Sequence, residues 1–182
     1  SPAAAPPSSS KLTMAPAPRQ HVAAPARTPI EDPVVKFEIP APLQVEHEQL
    51  RATLVRATRE PGAVGEAARE VARLLQPHFV AEKEFALLPL GLLSALAAGA
   101  ATPEMAEVLT TTRRLSADLP KMLAEHEQIV GALGKLRATA HAAGVTEYEH
   151  FADALVLHAR TEEQVRYPAA ILVGEHVALT LE

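Results

Sequence analysis

Apolar residues recur at intervals of three and four over four long stretches of the chain, the period that turns one face of an α-helix toward a core. Leu43, Leu50, Leu54 and Val55 mark the first stretch, which stops at Glu60-Pro61-Gly62. The second runs from about Val64 through Val71, Leu74, Leu75, Phe79 and Phe85, with Pro77 expected to bend it and Pro89-Leu90-Gly91 to disturb its end. Thr102-Pro103-Glu104 reads as an N-cap followed by proline at the first helical position, opening a segment that reaches a glycine stop at Ala143-Gly144. Asp118-Leu119-Pro120 is expected to split or kink that segment. Val145-Thr146-Glu147 starts the last helix, with Phe151, Leu155, Val156 and Val165 on its apolar side and a predicted end at Pro168 or Gly174.

Composition turns four helical stretches into one all-α domain. Of 182 residues 48% are hydrophobic, enough for a sizeable core, and only 3% are aromatic, so Ala and Leu must build it by packing helix on helix. Residues 1–42 carry most of the 16 prolines and cannot form a core alone; they read as a linker or arm able to meet a partner, with the bundle over 43–182. The absence of cysteine excludes disulfides, zinc ribbons, iron-sulfur clusters and thiol catalysis. A net charge of −5, with no basic cluster beyond Arg113-Arg114, gives no footprint for nucleic acid. The longest apolar run, 85–101, is interrupted by Pro89, Gly91 and Gly99 and is too short to span a bilayer. A cytoplasmic location is the expectation, with a processed secreted form as the alternative.

An internal near-repeat carries the chemistry. Glu46-His47-Glu48-Gln49-Leu50 in the first helix is echoed by Glu125-His126-Glu127-Gln128-Ile129 in the third. His78-Phe-Val-Ala-Glu82, followed by Pro89, is echoed by His158-Ala-Arg-Thr-Glu162, followed by Pro168. Two similar helix pairs in one bundle are related by an approximate two-fold axis, so matching positions meet across it. Residues four apart share a helix face, so each His-x-x-x-Glu pair presents an imidazole and a carboxylate together.

An isolated His on an amphipathic helix is usually a boundary residue, and Glu-rich faces are usually solvated. Here the pattern would bury four imidazoles and two carboxylates among aliphatic side chains, at a cost that a bound cation most simply offsets. Two ions bridged by Glu82 and Glu162 and capped by His47, His78, His126 and His158 would keep open positions. Such a nitrogen and oxygen donor set suits iron, with Mn or Zn also accepted. Glu84 and Glu163 are placed as acceptors for imidazole N–H groups. Glu46, Glu48, Glu125 and Glu127 are read as solvated, and His21, His141, His150 and His176 as non-ligands.

At these residues the chain resembles the hemerythrin-like, or HHE cation-binding, family over about 43–172. The carriers are the lone His of the first and third helices and the two His-x-x-x-Glu pairs with their downstream prolines. The resemblance implies an up-down-up-down four-helix bundle with an oxo- or hydroxo-bridged di-iron centre. His47, His78, His126 and His158 would be terminal ligands, and Glu82 and Glu162 the bridges, with Glu163 the alternative to Glu162. Oxygen carriers of the family add a fifth His four residues from His126, but Met122 and Val130 occupy those positions. The implied function is therefore binding of, or reaction with, O2, NO or peroxide. The alternative is a metal-dependent sensor or iron-binding module without turnover.

Overall fold

The computed structural model describes residues 37–181, which are helical and contain no strand among the described residues. Of residues 1–42, read as a linker or arm, 1–36 lie outside the described residues, while Ala41 and Pro42 already belong to the first helix. Helix α1 (Ala41–Ala57) starts between two prolines, Pro40 and Pro42, whose missing N–H groups cost nothing in a first helical turn. Ile39, just before it, already packs on the core. Helix α2 (Gly62–Ala81) passes through Pro77 without interruption. It leads into a π-helical turn at Glu82–Ala86, a 3₁₀ turn at Leu88–Leu92 and the short α3 (Leu93–Ala97).

Pro103–Glu107 forms a 3₁₀ turn ahead of α4 (Val108–Ala143). The expected side-chain cap is not made, because Thr102 Oγ1 is buried without a hydrogen-bond partner. Nor does Pro120 split α4, whose 36 residues end at left-handed Gly144. Its inward stripe runs unbroken through Leu115, Met122, His126, Ile129, Leu133 and Leu136, and that burial outweighs one lost backbone bond.

Helix α5 (Thr146–Thr161) is followed by a second π-helical turn, Glu162–Arg166, and then by α6 (Tyr167–Leu181). The predicted stop at Pro168 or Gly174 does not occur. Proline's ring clashes with the carbonyl four residues back, and for Pro168 that carbonyl, on Gln164, lies inside the π turn. The wider turn, closed by the Tyr167 N–H on the Glu162 carbonyl, accommodates the ring and lets the helix continue. Phe85 stands in the same relation to Pro89, and there the Leu87 N–H bonds the Glu82 carbonyl. Gly174 serves close packing instead, since a Cβ there would meet Thr112 Oγ1 at 2.2 Å.

Helices α1, α2, α4 and α5 form an antiparallel four-helix bundle in which α1 and α4 each pack against α2 and α5. One apolar cluster, with Leu54, Val71, Leu75, Phe79, Leu133, Leu136 and Leu155, fills the end near the α1–α2 and α4–α5 turns. A second, with Phe85, Leu87, Met122 and Tyr167, fills the region of the π turns. Among the described residues no helix is long and apolar enough to cross a membrane.

Candidate metal centre

The buried stripes of the four bundle helices continue, at unchanged spacing, into His47, His78, His126 and His158, and the first residue of each π turn adds Glu82 or Glu162. All six are at most 5% exposed. They lie between the two apolar clusters, with Phe79 stacked on His47 at 4.6 Å on one side and the Tyr167 hydroxyl on the other.

Donor atoms of the six residues form two groups, His47, Glu82, His158 and Glu162 in one and His78, Glu82, His126 and Glu162 in the other, each within 4.8 Å. Both carboxylates belong to both groups. On the first side His47 Nε2 is 3.4 Å from Glu162 Oε1 and 3.9 Å from Glu82 Oε2, and His158 Nε2 is 2.7 Å from Glu162 Oε1. That last approach lacks hydrogen-bonding geometry, so His158 Nε2 and Glu82 Oε2 are buried without a partner. On the second side His78 Nε2 and His126 Nε2 are 2.8 Å apart.

The outer ring nitrogens explain this convergence. Nδ1 of His78 donates to Glu125, that of His126 to Glu163 and that of His158 to Glu46, each at 2.9 Å. A neutral imidazole that donates from Nδ1 carries its lone pair on Nε2, so three lone pairs point into the same small space as two carboxylates. With the imidazoles neutral, a bound cation satisfies such a set. Glu163 thus takes the position read from the sequence, whereas Glu46 and Glu125, expected in solvent, hold imidazoles. Glu84, expected at an imidazole, pairs with Arg114 at 3.3 Å instead. Glu48 and Glu127 are exposed, as are His141, His150 and His176; His21 lies outside the described residues.

The electrostatics are those of a negative cluster. Burial works against the charged form of His78, but the close carboxylate of Glu82, the hydrogen bond to Glu125 and the charge of Glu162 raise its pKa to about 9. His158 is raised in the same way, against burial, by Glu162, Glu46 and Glu82. Burial would lift Glu162, yet the close imidazoles of His126, His158 and His47 hold it well below the usual carboxylate range.

Two residues at the site were not singled out from the sequence. Arg166 bridges Glu46 and Glu162. Tyr167, fully buried, donates to Glu82 Oε1 at 2.6 Å, and burial followed by the charges of Glu82 and Glu162 raises its pKa. Their signal was the spacing of four and five residues from Glu162, visible only once a π turn is placed there. Val165, expected to face the core, is 59% exposed because that turn delays the inward face by one residue.

Beside His47 a groove of about 310 Å³ opens between α1 and α2. Leu54, Leu75, Phe79 and Val80 are among its apolar lining, and Glu48, Arg51 and Lys83 among its polar lining.

An antiparallel helical bundle whose core converges imidazole lone pairs and shared carboxylates on one point defines a metal-binding class of protein. The hemerythrin HHE cation-binding domain model matches residues 39–170, and the chain belongs to that family. No curated protein and no solved structure matches the chain.

Proposed function

We propose that the chain is a non-haem di-iron protein that binds, or reacts with, a small ligand such as O2, NO or peroxide. In this reading His47 and His158 hold one ion and His78 and His126 the other, with Glu82 and Glu162 shared between them. The observation that carries it is the orientation of the imidazoles. Three of them donate outward from Nδ1 to carboxylates, leaving Nε2 lone pairs aimed inward at two buried carboxylates.

Iron bound there supplies a change of oxidation state and coordination positions that the protein leaves free; Mn or Zn would fit the same donors without the same redox range. The chain's own residues do the rest. Glu46, Glu125 and Glu163 fix the tautomer and ring orientation of three imidazoles. Arg166 holds Glu46 against His158 and adds a positive charge beside Glu162. Phe79 and the aliphatic cluster keep bulk water from one side of the centre, and the groove at His47 offers a small molecule a way in.

The test is iron content and absorption of the full chain loaded with ferrous iron and then exposed to oxygen, set against a His78→Ala, His158→Ala double variant. Two irons per chain, with a near-ultraviolet charge-transfer band that the double variant lacks, are expected. A folded chain that takes up no iron under reducing conditions would reject the reading.

A further inference from the structure

Once the imidazoles are neutral, as metal binding requires, Tyr167 has a hydrogen-bonding problem that its neighbours do not solve. Its hydroxyl is 2.6 Å from Glu82 Oε1, 3.3 Å from His78 Nε2 and 3.4 Å from His126 Nε2. A phenol has one proton, and Glu82 takes it. With both imidazoles neutral and donating from Nδ1, to Glu125 and Glu163, their Nε2 atoms have no proton to offer in return. The phenol oxygen's lone pairs then lie against two imidazole lone pairs, on a ring buried in the same apolar cluster as Phe85, Leu87 and Met122.

We propose that Tyr167 is a fifth protein donor, through its phenolate oxygen, to the ion held by His78, His126, Glu82 and Glu162. This rests on the di-iron reading above. The donor edges fit a single coordination shell: with metal–ligand bonds of about 2.1 Å, neighbouring donors stand about 3 Å apart. Around this ion the observed edges are 2.8 Å for His78–His126 and 3.6 Å for His78–Glu82. His126–Glu162 adds 3.5 Å, and the Tyr167 distances to His78 and His126, 3.3 and 3.4 Å, fall in the same range, while the 2.6 Å to Glu82 is the hydrogen bond that the cation would replace. On binding, the cation replaces the phenol proton, which leaves to solvent. The His47 side has no such residue among those described: Phe79 stacks there instead, and it has no donor atom. Tyr167 thus makes the two halves of the centre chemically unequal.

The chain's composition makes the test direct, because it contains two tyrosines and no tryptophan. The other, Tyr148, bonds Glu60 at the far end of the bundle. The iron-loaded, oxidised full chain should show a visible phenolate-to-iron band, with tyrosinate ring modes in resonance Raman excited within it. Tyr167→Phe, which keeps the ring packed, should lose both while retaining two irons and the near-ultraviolet band. Tyr148→Phe should change neither. Two irons bound without phenolate modes in the wild type would overturn the assignment and leave the di-iron reading standing. Phenolate modes that survive Tyr167→Phe would overturn it equally. Absence of iron uptake by the wild type would overturn both.

Discussion

The two halves of the bundle repeat one another in the residues that face the centre and differ in those that hold them. Glu46 and Glu125, each preceding a lone His, reach across to His158 and His78. Glu163, following the second π-turn carboxylate, holds His126, but the matching position after Glu82 is Lys83. His47 is left without a carboxylate on Nδ1 among the described residues, and it borders the groove that Lys83 also lines. The chain also leaves the two π turns differently. The first breaks into a 3₁₀ turn and a five-residue helix, while the second continues into the 15 residues of α6 and carries Tyr167 over the centre. Symmetry of the candidate ligands with asymmetry of their supports gives one well-held side and one side that borders the groove.

The most drastic way to break this comparison is to remove what both halves share. Glu162→Ala should abolish uptake of both ions, whereas His47→Ala should leave the His78 side loaded, with about one iron per chain by elemental analysis. Equal, partial loss from both variants would mean the carboxylate is not shared.

Next in size is the pH dependence of the metal-free chain. His78 is favoured in its charged form in the fold, so its contribution is fully present below about pH 6.5 and is lost as pH rises through about 9. Urea unfolding should therefore weaken by about 3 kcal/mol across that window, and His78→Ala should flatten the fall. Glu162, held low, contributes in the opposite direction, its share being lost only in acid. Iron binding needs neutral imidazoles, so added iron should stabilise more as pH rises, which thermal melts with and without iron would show.

Exchanging the supports sharpens the contrast further. Glu163→Gln should weaken iron binding by roughly ten- to a hundredfold, as loss of an imidazole's carboxylate partner typically does. Lys83→Glu, which restores the repeat, should slow iron release to a chelator. The smallest effect is expected far from the centre, where Arg56 on α1 pairs with Glu147 on α5 at 2.9 Å with both side chains more than half exposed. Arg56→Ala should cost less than about 1 kcal/mol in urea unfolding and leave iron content unchanged.

Much of this was legible because the six site residues sit on the same stripes as the leucines and valines, so one periodicity located both core and centre. The repeat supplied the pairing of helices that periodicity alone does not. What escaped the sequence depended on a neighbouring helix or on a change of helical type. Glu46 and Glu125 stand one residue off the stripe, a position that looks solvated on a lone helix but faces an imidazole across the interface. Pro120 read as a split or kink, and Pro168 and Gly174 as stops, because local preference says so; burial along α4, a π turn and a close approach to Thr112 decided otherwise.

The second π turn amounts to one residue more than an ordinary helix would use between His158 and the end of the chain. Deleting a residue within 162–166 would restore the α-helical register and rotate everything beyond by about 100°. Tyr167 would swing off the centre, Pro168 would arrive in its place, and the α6 face that packs on α4 would turn outward. Length in that segment is therefore as strictly determined as the identity of any ligand. A relative aligned with a gap there would keep every His and Glu and still possess a different centre.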